Sequence, residues 1–188
     1  MMKSILIMIL LLLSLGSSAQ TEMSQVLKQM PESIVPYLSE NNRLDLIDFV
    51  DSNMKAEVHN LFDGNTELVR LTPQYAAFSL NEAVRMEIRL LDVFEPVDSA
   101  NQLICLVRTY GSGNVQDSQV EFYSLNWRKL DIATYIKLPN TMFTAVLDEK
   151  SSTITLTIAS PLDYPASEEQ KAPEKVLTSF EWNGKMFK

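Results

Sequence analysis

Few side chains in this sequence have types and spacing suited to chemistry. His59 is the sole histidine of the 188 residues, and general acid–base or nucleophilic work would need a serine or carboxylate folded against it. Val58 and Asn60 flank it with no triad spacing, so an ordinary histidine at a helix end or on a first strand is the simpler reading. Gly111-Ser112-Gly113 has a serine between glycines, but Tyr110 stands where a nucleophile elbow of the G-x-S-x-G type needs its first glycine. A hairpin loop accounts for it. Asp45, Asp48 and Asp51, with Asn53 or Glu57 nearby, offer oxygen ligands for Ca²⁺, yet their spacing puts them along one side of a helix and not around a turn. They read as a solvated face. Cys105 lies inside Leu103-Ile104-Cys105-Leu106-Val107, which suits a small buried apolar residue better than a reactive thiol.

Two softer signals remain. Tyr123, Leu125 and Trp127 share a strand parity opposite to Val120 and Phe122, with Tyr110 ending the neighbouring strand, so Tyr110, Tyr123 and Trp127 are candidate binding rings for a sugar or peptide. The plainer alternative puts them in a second core layer or under a helix. Paired carboxylates for glycoside hydrolysis can be drawn from any chain with 24 acidic residues, so that pattern carries little specificity. No zinc spacing, phosphate loop or dinucleotide fingerprint is present, and no metal or cofactor is implied.

The elements that must carry these residues begin after residue 19. Lys3, the apolar run from Ile5 to Leu13 and the small residues Ser17-Ser18-Ala19 have the make-up of an export signal, residues 1–19, cleaved before Gln20. That apolar run is shorter than the roughly 20 residues a spanning helix needs. The expectation is a mature chain without a transmembrane segment, periplasmic or secreted, and not lipid-anchored, because Gln20 and not cysteine follows the cut. A net charge of −8, more negative once Lys3 is removed, argues against nucleic acid and anionic lipid as partners. With one cysteine there is no internal disulfide, so packing must supply stability.

The mature chain, 20–188, reads as a single domain that starts helical and turns to strands. Helical segments are expected at 24–30, at 33–38 interrupted by Pro36, and at 43–52 behind an N-cap at Asn41 or Asn42. Val84, Met86, Ile88 and Leu90 alternate with Arg85, Glu87 and Arg89, and Ile154, Leu156 and Ile158 alternate with threonines; each pattern predicts a strand with one wet face. Further strands are expected at 66–71, 75–80, 103–110, 118–124, 142–147 and 176–182. Asn183-Gly184 should turn a type I′ hairpin that returns 185–187 to the sheet. Residues 161–175, rich in proline and glutamate, read as a mobile loop. No crossover helices separate the strands, which predicts an α+β fold with N-terminal helices packed on a largely antiparallel, meandering sheet.

Pro36-Tyr37-Leu38, the run from Asn42 to Asp51 and Val120-Glu121-Phe122-Tyr123-Ser124-Leu125-Asn126-Trp127 together resemble an exported Bacteroidales family classified only as a domain of unknown function, over nearly the whole mature chain. That resemblance implies an envelope location and a small α+β module similar in fold to beta-lactamase-inhibitor-like and PepSY-like domains, and it assigns no catalytic residue. Asp98-Ser99-Ala100 resembles the short Asp-Ser/Thr-small motif of periplasmic O-glycosylation in Bacteroidetes, which makes Ser99 a candidate modification site. The leading functional expectation is a non-enzymatic binding or interaction module whose partner is a protein or peptide. The alternatives are a carboxylate-dependent hydrolase acting on glycans and a structural envelope component.

Overall fold

The computed structural model describes residues 22–112, 115–158 and 176–188. The leader at 1–19 and the loop expected at 161–175 lie outside the described residues. Helix α1 covers Met23–Lys28 and places Met23, Val26 and Leu27 in the core before Pro31 stops any continuation. Residues 33–38 form turns, not the helix expected there, because Pro36 removes a backbone donor in so short a segment. Helix α2, Glu40–Asp51, starts earlier than its apolar pattern: Ser39 is the N-cap, accepting from the Asn42 N–H while the Asn42 side chain accepts from the Ser39 N–H. Asn42 therefore works from inside the helix as the second half of a capping box and not as the cap itself. Leu46 and Ile47 face inward, and Asp45, Asp48 and Asp51 face solvent.

Seven strands then follow in simple order: β1 (Glu57–His59), β2 (Asn65–Leu71), β3 (Tyr75–Asn81), β4 (Val84–Val97), β5 (Ala100–Ser112), β6 (Val115–Ser124) and β7 (Lys129–Leu130). Each pairs antiparallel with the next, so the sheet is a pure meander. After a single 3-10 turn, Ile132–Thr134, the strands β8 (Phe143–Leu147), β9 (Thr153–Ile158) and β10 (Val176–Glu181) form a second, separate antiparallel sheet in the order β10-β9-β8. The fold is α+β, mostly β, in three layers. No described helix is long and apolar enough to cross a membrane.

The large sheet is buried on both faces. Met86, Ile88, Leu90, Ile104 and Leu106 meet α1 and α2 on one side; Leu91, Leu103, Cys105, Val107 and Phe122 meet Phe143, Leu147, Ile154 and Leu156 of the small sheet on the other. The small sheet thus covers positions whose polar side chains predict a wet face. Arg89 is buried, with its Nη1 donating to the Asp148 and Glu149 carbonyls at 2.9 and 3.0 Å, and Glu87 is half-buried. Strand β8 crosses the large sheet from β6 toward β4, since its N–H groups on the side away from β9 are taken in turn by the two strands. Phe143 donates to Asp117 Oδ1, Ala145 to Ser118 Oγ and Leu147 to Glu87 Oε2. Side chains of one sheet thereby close the edge of the other.

Burial pushes the Glu87 carboxyl above its ordinary value, against the opposing pull of the Leu147 N–H, the Tyr75 hydroxyl and Arg85. Ionising Glu87 therefore costs stability above its folded pKa, and that cost disappears as pH falls toward the unfolded value near 4.3. Glu87→Gln keeps an acceptor for Leu147 and removes the charge. The variant is expected to melt about 2–4 °C higher than wild type at pH 7. Scanning calorimetry from pH 7 to pH 4 should show this gap closing toward acid.

One turn differs from expectation, at Asn183-Gly184, and the type I′ geometry expected there occurs elsewhere. Asp98 and Ser99, both at positive φ (50° and 67°), make the two-residue β4–β5 turn that the type I′ geometry requires. At Asn183-Gly184 only Gly184 is left-handed (φ 85°), and the Trp182–Phe187 bridge spans a wider loop in which Asn183 Oδ1 accepts from the Lys185 and Met186 N–H groups. A Cβ at Gly184 would also stand 2.6 Å from the ring of the exposed Phe94, which would have to swing aside. The C-terminus is still pinned, because Glu181 and Lys188 exchange both backbone hydrogen bonds.

Candidate functional site

An antiparallel strand shows alternate backbone groups to its two neighbours, so the outward-facing residues of β6 follow from any one outward bond. Ser124 donates outward to the Arg128 carbonyl at 3.0 Å. Phe122, Val120 and Ser118 share its direction. Strand β7 occupies only part of that edge: the pairing covers Phe122 with Leu130 and Tyr123 with Lys129, and then the chain leaves through the 3-10 turn. Among the described residues no strand pairs with β6 beyond that point, so the outward backbone groups of Ser118 and Val120 have no strand partner there, although both residues are buried at the base of the groove that follows.

This open edge forms the floor of a groove of about 830 Å³. Val120, Leu130, Ile132, Leu138 and Phe143 supply its apolar wall, and Tyr110, Asp117, Gln119, Glu121, Lys129 and Asp131 its polar one. The volume lies within the range of about 300–1,000 Å³ that is common for ligand sites. Parity explains the division. Glu121 and Tyr123 share a parity and Lys129 pairs with Tyr123, on the helix side; Val120 and Phe122 share the other, with Leu130 opposite Phe122, toward the small sheet.

The polar wall is electrostatically ordered. Glu121 is buried, with Oε2 2.7 Å from Arg108 Nη1 and Oε1 2.6 Å from Lys129 Nζ; Arg108 Nη2 also donates to the Ile34 carbonyl at 2.6 Å. Burial alone would raise the Glu121 carboxyl, but the Lys129 bond, the Arg108 and Lys129 charges and the Tyr123 hydroxyl outweigh it and hold it below the usual carboxylate range. It stays ionised. A glycoside hydrolase needs one carboxyl raised enough to donate a proton beside a second carboxylate. The carboxyl that burial does raise, Glu87, lines a separate cleft of about 230 Å³ with no second carboxylate among its lining residues.

The candidate rings separate. Tyr123 and Trp127 are buried beneath α1, with ring centroids 5.6 Å apart and the Trp127 Nε1–H donating to the Val26 carbonyl at 3.2 Å. They are core residues, not an open platform, because the helices cover that face of β6. Burial raises the Tyr123 hydroxyl to about 12. Tyr110 alone of the three lines the groove, half exposed at its rim. Ser99 is exposed in its tight turn beside Asp98, whose carboxylate is gripped at both oxygens by Arg128, with bonds of 3.0 and 2.6 Å. His59 is exposed on β1 near Asp63, and Cys105 is buried with burial pushing its thiol up. No group of three metal-ligating side chains comes together among the described residues. Sequence reading missed the groove itself, since Leu130, Ile132 and Leu138 carry no clear period.

A solved domain of an uncharacterized protein from Porphyromonas gingivalis W83 is similar in fold, with a TM-score of 0.70 at 18% identity, covering 90% of this chain and 98% of that one. No curated protein matches the chain. The family model described as "Protein of unknown function (DUF3256)" matches residues 14–165, which carry both helices, the whole seven-stranded sheet and the groove. By that match the chain belongs to the DUF3256 family of proteins of unknown function.

Proposed function

We propose that this protein is an exported, non-enzymatic interaction module that docks an extended polypeptide segment as an added strand on β6. The unpaired β6 edge at Ser118 and Val120, lying along an apolar-walled groove, carries the reading. Added-strand binding uses backbone groups for affinity and alternate side-chain pockets for selection, and this groove offers both. The leader residues Lys3, Ile5–Leu13 and Ser17-Ser18-Ala19 support an address in the periplasm or beyond it, in keeping with the Bacteroidales likeness. Natural sheets usually blunt such edges. Here β8 is closed by side chains while β6 is left open, a contrast that favours a docking role over a purely structural one.

Leu138→Arg tests the proposal, because Leu138 is only partly buried on the groove wall and the larger cation fills the space without touching the β6 backbone. Peptides selected on the wild-type chain from a random display library are expected to lose at least about tenfold in affinity for the variant, equivalent to about 1.4 kcal/mol. Amide exchange at Ser118 and Val120 should slow on binding. Equal binding by the two proteins, or protection confined to another strand, would remove β6 from the account.

A further inference from the structure

The geometry points to a cationic, aliphatic-alternating segment as the occupant of the β6 groove: an extended peptide with a branched aliphatic residue at every second position and lysine or arginine between. This deepens the added-strand reading and rests on it. A guest strand beside β6 has side chains that alternate between the groove's two walls. One set meets Val120, Leu138 and Phe143, and burying them calls for aliphatic side chains.

The other set meets the polar wall, where the charges are unevenly committed. Glu121 already has two cations, and Lys129 is spent on it. Asp117 and Asp131, both exposed, hold no described cation; each carboxylate accepts one backbone N–H, from Phe143 and Ala133 respectively. Two carboxylates of the wall thus stand without a paired cation, and with Glu121, Arg108 and Lys129 counted the wall is net negative by one charge, on a chain whose net charge is −8. Cationic guests are attracted and acidic ones repelled, through both the local wall and the long-range field. A second copy of this acidic chain is disfavoured for the same reason.

The test uses the full chain and three fluorescently labelled decapeptides that share an alternating valine and isoleucine frame and carry lysine, serine or glutamate between. Fluorescence anisotropy at low salt should rank lysine over serine over glutamate, with about tenfold or more between the extremes and a narrowing gap as salt rises. Asp117→Asn with Asp131→Asn keeps both carbonyl acceptors and removes both charges. It should reduce the lysine preference over serine and glutamate to about threefold or less, read as the ratio of affinities within the variant. Equal binding of all three peptides to the wild type would overturn the cationic preference and leave the added-strand reading standing. Binding of none, or a sedimentation-detected dimer that Leu138→Arg dissolves, would overturn the peptide occupant altogether.

Discussion

Trp127→Ala is expected to lower stability by about 3–5 kcal/mol, the range for truncating a large buried aromatic. Trp127 ends the three-residue β6–β7 loop, where the Trp127 N–H donates to the Ser124 carbonyl at 2.9 Å and the residue sits at φ 60°. Glycine normally occupies that left-handed position in a loop of this length. A bulky residue holds it because its indole has two tasks elsewhere: packing at a tilt of 53° against the Tyr123 ring and donating to the Val26 carbonyl of α1. Removing the ring empties the contact between sheet and first helix and leaves a buried carbonyl without its donor. Trp127→Gly should be less harmful than Trp127→Ala by up to about 1 kcal/mol, since the left-handed conformation is unfavourable only for residues with a Cβ. Chemical denaturation of both variants checks the two terms separately. If alanine and glycine destabilise equally, backbone conformation is not part of the balance at this turn.

Arg108→Met is the second substitution with a large expected effect, about 3 kcal/mol. Breaking a buried ion pair by removing one partner usually costs about 3–5 kcal/mol, and Lys129, which remains on Glu121, holds the loss to the low end. Arg108 also ties the sheet to the N-terminal segment through the Ile34 carbonyl. The pH dependence has a definite sign. The Glu121 carboxyl is held below its usual range in the folded protein, so its contribution is complete above the unfolded value near 4.3 and is lost as pH falls through the lower folded value. The gap between wild type and Arg108→Met should therefore be full at pH 7 and shrink below about pH 4. A gap that stays constant down to acid unfolding would assign the loss to the Ile34 bond and to packing.

The strands themselves were legible locally. The alternation in Val84, Met86, Ile88 and Leu90 and in Ile154, Leu156 and Ile158 marks two strands because period 2 is a property of neighbouring residues. The helix-to-strand order and the antiparallel meander follow from the same patterns and from the lack of crossover helices. Capping was harder to read, since Ser39 and Asn42 share the α2 cap and either residue type suits the role.

What the amino-acid order determined by itself is the α+β class, two helices and the longer strands, because periodicity, proline breaks and turn residues act over a few positions of chain; the two- and three-residue strands β7 and β1 are too short to show a period. Tertiary structure alone decided which polar positions are wet: Arg89 and Glu87 alternate like surface residues, yet β8 and the turn after it, about 60 residues downstream, cover them. It also decided that Tyr123 and Trp127 are core while Tyr110 is not, by laying α1 over one end of β6. The open β6 edge belongs to the same class. Whether a strand lies inside a sheet or at its border is set by which other strand arrives beside it, and β7 ends after two residues for reasons of chain path that no local pattern of β6 contains.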